Sequence, residues 1–145
     1  MKLGRESAYA IDGLVELAAS PVGTVILLGA IAARRRIPQS FLAKIFQKLA
    51  RSGIVSSSRG AVRGYALARR PKEITVKEIL LAVEGPELFN RCIFWSERCA
   101  EADPCPMHFK WKWIKERIIG ELMEGTTLAD LARRELSQRP TGKRA

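Results

Sequence analysis

A chain of 145 residues and 16.1 kDa has room for one hydrophobic core and a small appendage, which excludes large multidomain machinery. With 47% hydrophobic and 28% charged residues, its composition is neither collagen-like, nor low-complexity, nor that of a disordered chain. The 25 Lys and Arg against 15 Asp and Glu leave a net charge of +10, and the excess is segregated: from Leu17 to Lys72 there is no carboxylate, while Arg34, Arg35, Arg36, Lys44, Lys48, Arg51, Arg59, Arg63, Arg69, Arg70 and Lys72 fall within that stretch.

Such segregation predicts a surface for a polyanion, because each cation placed near a phosphate releases condensed counterions. A solvated basic face is the competing explanation. The longest apolar stretch, Val22 to Ala33, is about half of the ~20 residues a bilayer span requires, and it lacks a basic leader and a small-residue cleavage site. The expectation is a cytoplasmic, soluble protein with no membrane partner. Three cysteines, an odd number in one cluster, make a poor disulfide framework and a natural start for metal binding or redox chemistry.

Along the chain, Glu6 to Ala19 carries Ile11, Leu14, Val15 and Ala18 at helical spacing, the apolar stripe of an amphipathic helix ended by Ser20-Pro21-Val22-Gly23. Thr24 is placed to cap a second short helix through Val25, Leu28 and Ile31, closed by Arg34-Arg35-Arg36, whose charges suit a helix C-terminus. Pro38 opens a third helix that runs to Ser52, with Leu42, Ile45, Phe46 and Leu49 on one face and Gln39, Lys44, Gln47, Lys48 and Arg51 pointing elsewhere; Gly53 stops it. Two helices joined by a short turn, the second with a cationic outer face, predict a helix-turn-helix. Ile54 to Ser58 and Tyr65 to Ala68 then read as two strands around Arg59-Gly60-Ala61-Val62-Arg63-Gly64, a hairpin with an arginine at each end of its tip. Such a wing contacts the phosphate backbone or minor groove, unless it is an ordinary surface hairpin.

Thr75 with Glu78 forms a capping-box pattern before Val76, Ile79, Leu80 and Val83, and Gly85-Pro86 ends that helix. After a cysteine-bearing loop, a long helix is expected from Met107 to Met123, with Trp111, Ile114, Ile118 and Leu122 along one side and Trp113, Ile119 and Met123 elsewhere. That is more apolar surface than one small domain buries, which predicts a partner helix and a homodimer. Thr127 caps a last helix. The fold class is therefore mainly α with a small β-wing: a winged helix-turn-helix DNA-binding domain over residues 1–85, a cysteine loop over 86–106, a dimerisation helix and C-terminal helix over 107–137, and a disordered tail over 138–145.

Cys92, Cys99 and Cys105 are separated by six and five residues, and His108, the only histidine, follows Cys105 by three. Thiolates with an imidazole bind zinc or an iron-sulfur cluster, and the local prolines Pro104 and Pro106 suit a loop in which sulfurs converge. Zinc usually takes cysteine pairs two to four residues apart, so the absence of a CxxC favours a cluster without excluding zinc. Three small buried side chains and a surface histidine would be the inert alternative. Cys105 with His108 can also be drawn as a nucleophile and base, but there is no glycine-rich phosphate loop and no paired carboxylate site, so an enzyme is not expected.

Taken together, the motifs resemble the IscR/NsrR-type winged-helix transcription regulators, the Rrf-two family, nearly end to end. The carrying residues are Met1-Lys2-Leu3 with Tyr9-Ala10, Ile37-Pro38-Gln39-Ser40-Phe41-Leu42, Leu49 with Ser52-Gly53-Ile54-Val55, Ser58-Arg59-Gly60, Gly64-Tyr65-Ala66-Leu67-Ala68, Glu73-Ile74-Thr75 and Val83-Glu84-Gly85. Cys92, Cys99, Cys105 and His108 fall where cluster-binding members keep their ligands. The resemblance implies a homodimer on double-stranded operator DNA, with the long helix as the dimer seam. It also implies a 2Fe-2S or 4Fe-4S cluster whose gain, loss or oxidation changes which promoters are bound in response to redox state, iron or nitric oxide. By that similarity Gln39, Ser40, Phe41, Lys44 and Lys48 belong to the recognition helix or its start, and Arg59 and Arg63 to the wing. Relatives differ in the fourth ligand, which is His108 here with Glu6 and Asp12 as alternatives. The sequence departs from the family at Arg63, where a wing glycine is usual, and at Phe41, where many members have tyrosine. Two other functions fit the same residues: an electron-transfer or cluster-carrier protein whose basic face docks an acidic partner, and a zinc or thiol redox switch on the same fold.

Overall fold

The computed structural model describes residues 3–60, 63–94 and 102–138. Five elements make the first half: helix α1 (Arg5–Ala18), the two-residue strand β1 (Ile26–Leu27), helix α2 (Leu28–Arg35), helix α3 (Gln39–Arg51) and strand β2 (Val55–Ser58). Strand β3 (Gly64–Leu67), a 3-10 turn (Pro71–Glu73) and helices α4 (Val76–Glu84), α5 (Glu87–Asn90), α6 (His108–Arg117) and α7 (Leu128–Gln138) complete it, with a π-helical segment, Ile118–Glu124, prolonging α6. This is a mainly helical winged-helix fold with one small antiparallel sheet ordered β1-β3-β2.

The periodicities read from the sequence place the helices well. Leu42, Ile45, Phe46 and Leu49 are each 0 or 1% exposed and face Leu14 of α1 and Ile79 of α4 in one core. The Phe46 ring meets Tyr65 of β3 edge-on, with centroids 5.0 Å apart, so the recognition-type helix is locked to the sheet beneath the wing. Gly53 (φ +73°) and Gly85 (φ +81°) end α3 and α4 in backbone conformations that favour glycine. The capping box at Thr75 is present in both directions, Glu78 N donating to Thr75 Oγ1 and Thr75 N donating to Glu78 Oε2.

The second helix starts later than its sequence predicts. Thr24 caps nothing; Ile26 and Leu27 pair with Tyr65 and Gly64 as a third strand, and α2 begins at Leu28 with Leu27 as its N-cap. The β-branched run Val25-Ile26 favours extended backbone, and the pairing satisfies it, with Leu28 N donating to the Arg63 carbonyl at 3.1 Å. Gly64 makes room for this crossing strand, since a Cβ there would stand 2.4 Å from Val25 Cγ1.

The apolar side expected along residues 107–123 is divided by the structure. Trp111 and Met123 are buried, and Ile118 and Ile119 pack on Leu80 and Leu88, while Ile114 and Leu122 are exposed with Trp113. The change from α to π hydrogen bonding at Ile118 rotates the inward face, so that Met123 and not Leu122 points to α4. Beyond Gly125 the chain turns back onto the first half. Leu128 N donates to the Ile74 carbonyl, Leu128 and Ala132 enter the main core, and Thr127 caps α7 through Asp130. The tail expected to be disordered lies outside the described residues from position 139 onward.

Candidate nucleic-acid interface and metal centre

Because α3 buries Leu42, Ile45, Phe46 and Leu49, its outer face is fixed. Ser40, Lys44, Gln47 and Arg51, spaced four, three and four apart, form one exposed stripe, with Phe41 beside its start. Gln39 is exposed at the first turn, its amide lying over Gly29 of α2. Gln47 and Arg51 complete the stripe although the resemblance did not single them out; their signal in the sequence was the same spacing that placed Lys44.

Lys48 is turned away from that stripe. Its Nζ donates to Glu6 Oε2 at 2.7 Å and to the Val83 carbonyl at 3.2 Å, tying α3 to α1 and α4. Other cations of the acid-free stretch are also held within the fold: Arg34 and Arg35 pair with Glu16, Arg35 also pairs with Glu135, and Arg69 pairs with Glu78. Seven remain. Among the described residues Arg36, Lys44, Arg51, Arg59, Arg63, Arg70 and Lys72 are exposed and have no ion pair. They lie at the turn between α2 and α3, on α3, at both ends of the wing tip and just after β3. Arg36 occupies that turn at φ 55°, a left-handed position that glycine would fill with less strain.

The inward cations rest on a buried acid. The Glu16 side chain is 8% exposed and accepts from Arg34 Nη1 at 3.0 Å and Arg35 Nε at 2.9 Å. Burial pushes its carboxyl up, and the two guanidinium hydrogen bonds outweigh that and hold it below the ordinary glutamate value. Asp12 lies nearby in the same field: burial and the Glu135 charge raise its carboxyl, with Arg35 opposing.

The cysteine segment is seen in part. Cys92 is buried at 7% exposure, Cys105 is half-buried, and His108 is buried at 5%. The His108 amide donates to the Cys105 carbonyl at 2.9 Å, which puts the thiol and the imidazole on one turn at the start of α6. Cys99 lies outside the described residues, and among those described no three His, Cys, Asp or Glu side chains form a metal-holding group. Two thiols and an imidazole are soft and borderline donors of the kind iron in a cluster accepts, so the donor set fits. One turn beyond His108, the buried Trp111 Nε1 has no hydrogen-bond acceptor among the described residues. The alternative fourth ligands lie on α1, where Glu6 is bonded to Lys48 and Asp12 faces Arg35 and Glu135.

Residues 3–134 match the Rrf2 family profile, described as an iron-dependent transcriptional regulator. The HTH-type transcriptional regulator IscR of Photorhabdus laumondii is 31% identical over 143 residues, covering 93% of this chain and 87% of the relative. Among solved structures, CymR, the global cysteine regulator of B. subtilis, is similar with a TM-score of 0.75 at 28% identity, covering 92% of this chain and 98% of that one. IscR of T. potens is similar with a TM-score of 0.70 at 26% identity, covering 98% and 94%.

Proposed function

Since the chain belongs to the Rrf2 family of transcriptional regulators, and is thus a regulator and not an enzyme, we propose that it binds double-stranded operator DNA in the cytoplasm as a homodimer whose affinity is set by an iron-sulfur cluster. The observation that carries the DNA reading is the set of seven exposed cations around α3 and the wing that have no ion pair among the described residues. Among the described residues no carboxylate pairs with them, and a duplex presents one phosphate per strand at intervals that such a surface can track. In this reading Gln39, Ser40, Phe41 and Lys44 enter the major groove, and Arg59 and Arg63 flank it on the backbone or in the minor groove. Lys48, bonded to Glu6 and Val83, positions α3 and does not contact a base.

Cys92, Cys99, Cys105 and His108 would hold the cluster, of the 2Fe-2S or 4Fe-4S type, which supplies one-electron redox chemistry and sensitivity to iron, oxygen and nitric oxide. The chain's own contribution is to seat Cys105 and His108 at the head of α6, whose continuation packs on α4 and α5 through Met123, Leu80 and Leu88. Homodimerisation is supported by the face that this packing leaves outward: Phe109, Trp113, Ile114 and Leu122 are 44 to 70% exposed, a run of large apolar side chains along one segment of the kind that marks an interaction site.

A second reading, a thiol or zinc switch on the same cysteines, draws support from the similarity to the global cysteine regulator of B. subtilis. Two preparations, wild type and Cys99→Ala, separate the two. Protein purified without oxygen is expected to carry iron and sulfide and to absorb broadly near ~400 nm, with both lost in Cys99→Ala. A zinc-bearing or metal-free protein in both preparations overturns the cluster. Duplex binding that does not weaken with added salt overturns the DNA reading, and a strong preference for a selected operator over random duplex rejects the electron-carrier alternative.

A further inference from the structure

Phe41 is an aromatic side chain on the first turn of α3 that the core does not use: it is 55% exposed, whereas the adjacent Leu42 is 0% and Ile45 is 1% exposed. It stands beside exposed Ser40 and Lys44, and the α2–α3 turn just before it in the chain carries exposed Arg36. Lys44 and Arg36 carry no ion pair among the described residues, so the cations near the ring suit an anion-bearing partner. What a duplex offers to an apolar group at the N-terminal end of a recognition helix is the C5-methyl of thymine, the one hydrocarbon group on the base edges of the major groove.

We propose that Phe41 is a specificity-determining residue, its ring packing on a thymine methyl in each operator half-site. The inference rests on α3 being the helix that enters the groove, and it goes beyond that reading by assigning one base position to one side chain. Hydrogen bonding plays no part in it, because the ring has neither donor nor acceptor.

The probe is a duplex selected from a random library by the full-length protein, with each thymine then replaced singly by uracil, which keeps every base-edge donor and acceptor and removes only the methyl. Wild-type protein is expected to lose about fourfold in affinity at one thymine per half-site, the equivalent of one methyl group returned to water. Phe41→Ala should bind the thymine and uracil duplexes equally. Phe41→Leu should keep part of the preference, and both variants should match the wild-type circular dichroism, since the side chain is outside the core and alanine and leucine favour helix. Indifference of the wild type to every uracil substitution overturns the proposal. So does a uracil penalty of the same size in Phe41→Ala, or a uniform loss of affinity on selected and random duplexes, which would mean that the ring packs on the sugar-phosphate backbone. Failure of the wild type to bind any duplex overturns the regulator reading itself, and is distinguished from these outcomes because in each of them binding persists.

Discussion

Gly13 of α1 and Phe46 of α3 are packed so closely that a Cβ on Gly13 would stand 2.7 Å from Phe46 Cε2. The ring cannot give way easily, because it is 0% exposed and braced edge-on against Tyr65. Two effects of Gly13→Ala therefore oppose each other. Alanine gains about 1 kcal/mol of helix propensity in the middle of α1, while the overpacked ring costs roughly 2–3 kcal/mol. The steric term wins, and a net loss of about 1–2 kcal/mol is expected in denaturant unfolding followed by circular dichroism. An unchanged or raised midpoint would show that α1 shifts at little cost.

Arg36 separates binding from stability. At φ 55° it holds a left-handed turn that costs a residue with a Cβ about 1–2 kcal/mol, and glycine removes that strain while adding chain entropy to the unfolded state. Arg36→Gly is thus expected to leave the thermal midpoint unchanged or slightly raised. Its DNA affinity should nevertheless fall, with the slope of log affinity against log salt reduced by about one. Lys48→Ala should behave in the opposite sense, losing stability through Glu6 and Val83 with little change in salt slope. A salt slope that drops for Lys48→Ala and holds for Arg36→Gly would reverse the assignment of these two cations.

Much of this division was legible in the sequence and part was not. The helices were written by intervals of three and four, the wing by its glycines and the fourth helix by Thr75 and Glu78, because each signal is local. β1 was not, because a strand of two residues exists only by pairing with Tyr65 and Gly64, which lie 37 and more positions away. The cationic run pointed to a polyanion surface, yet pattern alone could not show that Arg34, Arg35, Lys48 and Arg69 are spent on Glu16, Glu135, Glu6 and Glu78. Those partners come from α1, α4 and α7, and only the tertiary fold brings them in. For the proposed metal centre, residue types and spacing supplied the candidate donors, and the structure adds the shared turn of Cys105 and His108.

Acid should loosen the joint between α1 and α2. Glu16 titrates below its ordinary value in the folded state, so its contribution to stability is complete above the unfolded glutamate pKa of about 4.3 and is lost as pH falls through the lower folded value. Asp12 has the opposite sign: its raised carboxyl favours the folded state while protonated, and that advantage is lost as pH rises through the folded value. Glu16→Gln is expected to cost about 3 kcal/mol at pH 7, the lower end for breaking a buried ion pair, and to flatten the acid limb of the stability curve. Asp12→Asn should raise the thermal midpoint at pH 7 relative to wild type, with the gain vanishing below pH ~3, where both side chains are neutral. Thermal unfolding across pH 3 to about 8 checks both signs; a midpoint at pH 7 that falls in Asp12→Asn would mean that the attraction to Arg35 outweighs burial.

In the proposed homodimer, the outer strip of α6 and its π-helical continuation is the two-fold seam. Trp113 is 59% exposed with the Arg117 guanidinium 5.2 Å from its ring centroid, and Leu122 is 59% exposed at the far end of the strip. Arg117 is held in turn by Glu121, so the tryptophan is presented on an ordered and not a free surface. In a two-fold dimer each of these side chains is used twice, and an aromatic anchor near the centre of an interface contributes about 2 kcal/mol or more. Trp113→Glu is therefore expected to weaken self-association about 30-fold or more per copy replaced, giving a monomer at micromolar concentration in sedimentation equilibrium. Circular dichroism should stay at the wild-type value, because neither Trp113 nor Leu122 belongs to the Leu80, Leu88 and Met123 cluster that holds the segment on α4 and α5. DNA affinity should fall with it, since two half-sites bound by one dimer share a single loss of translational freedom and two monomers do not. A variant that stays dimeric would place the two-fold seam elsewhere on the molecule and leave this strip to another partner.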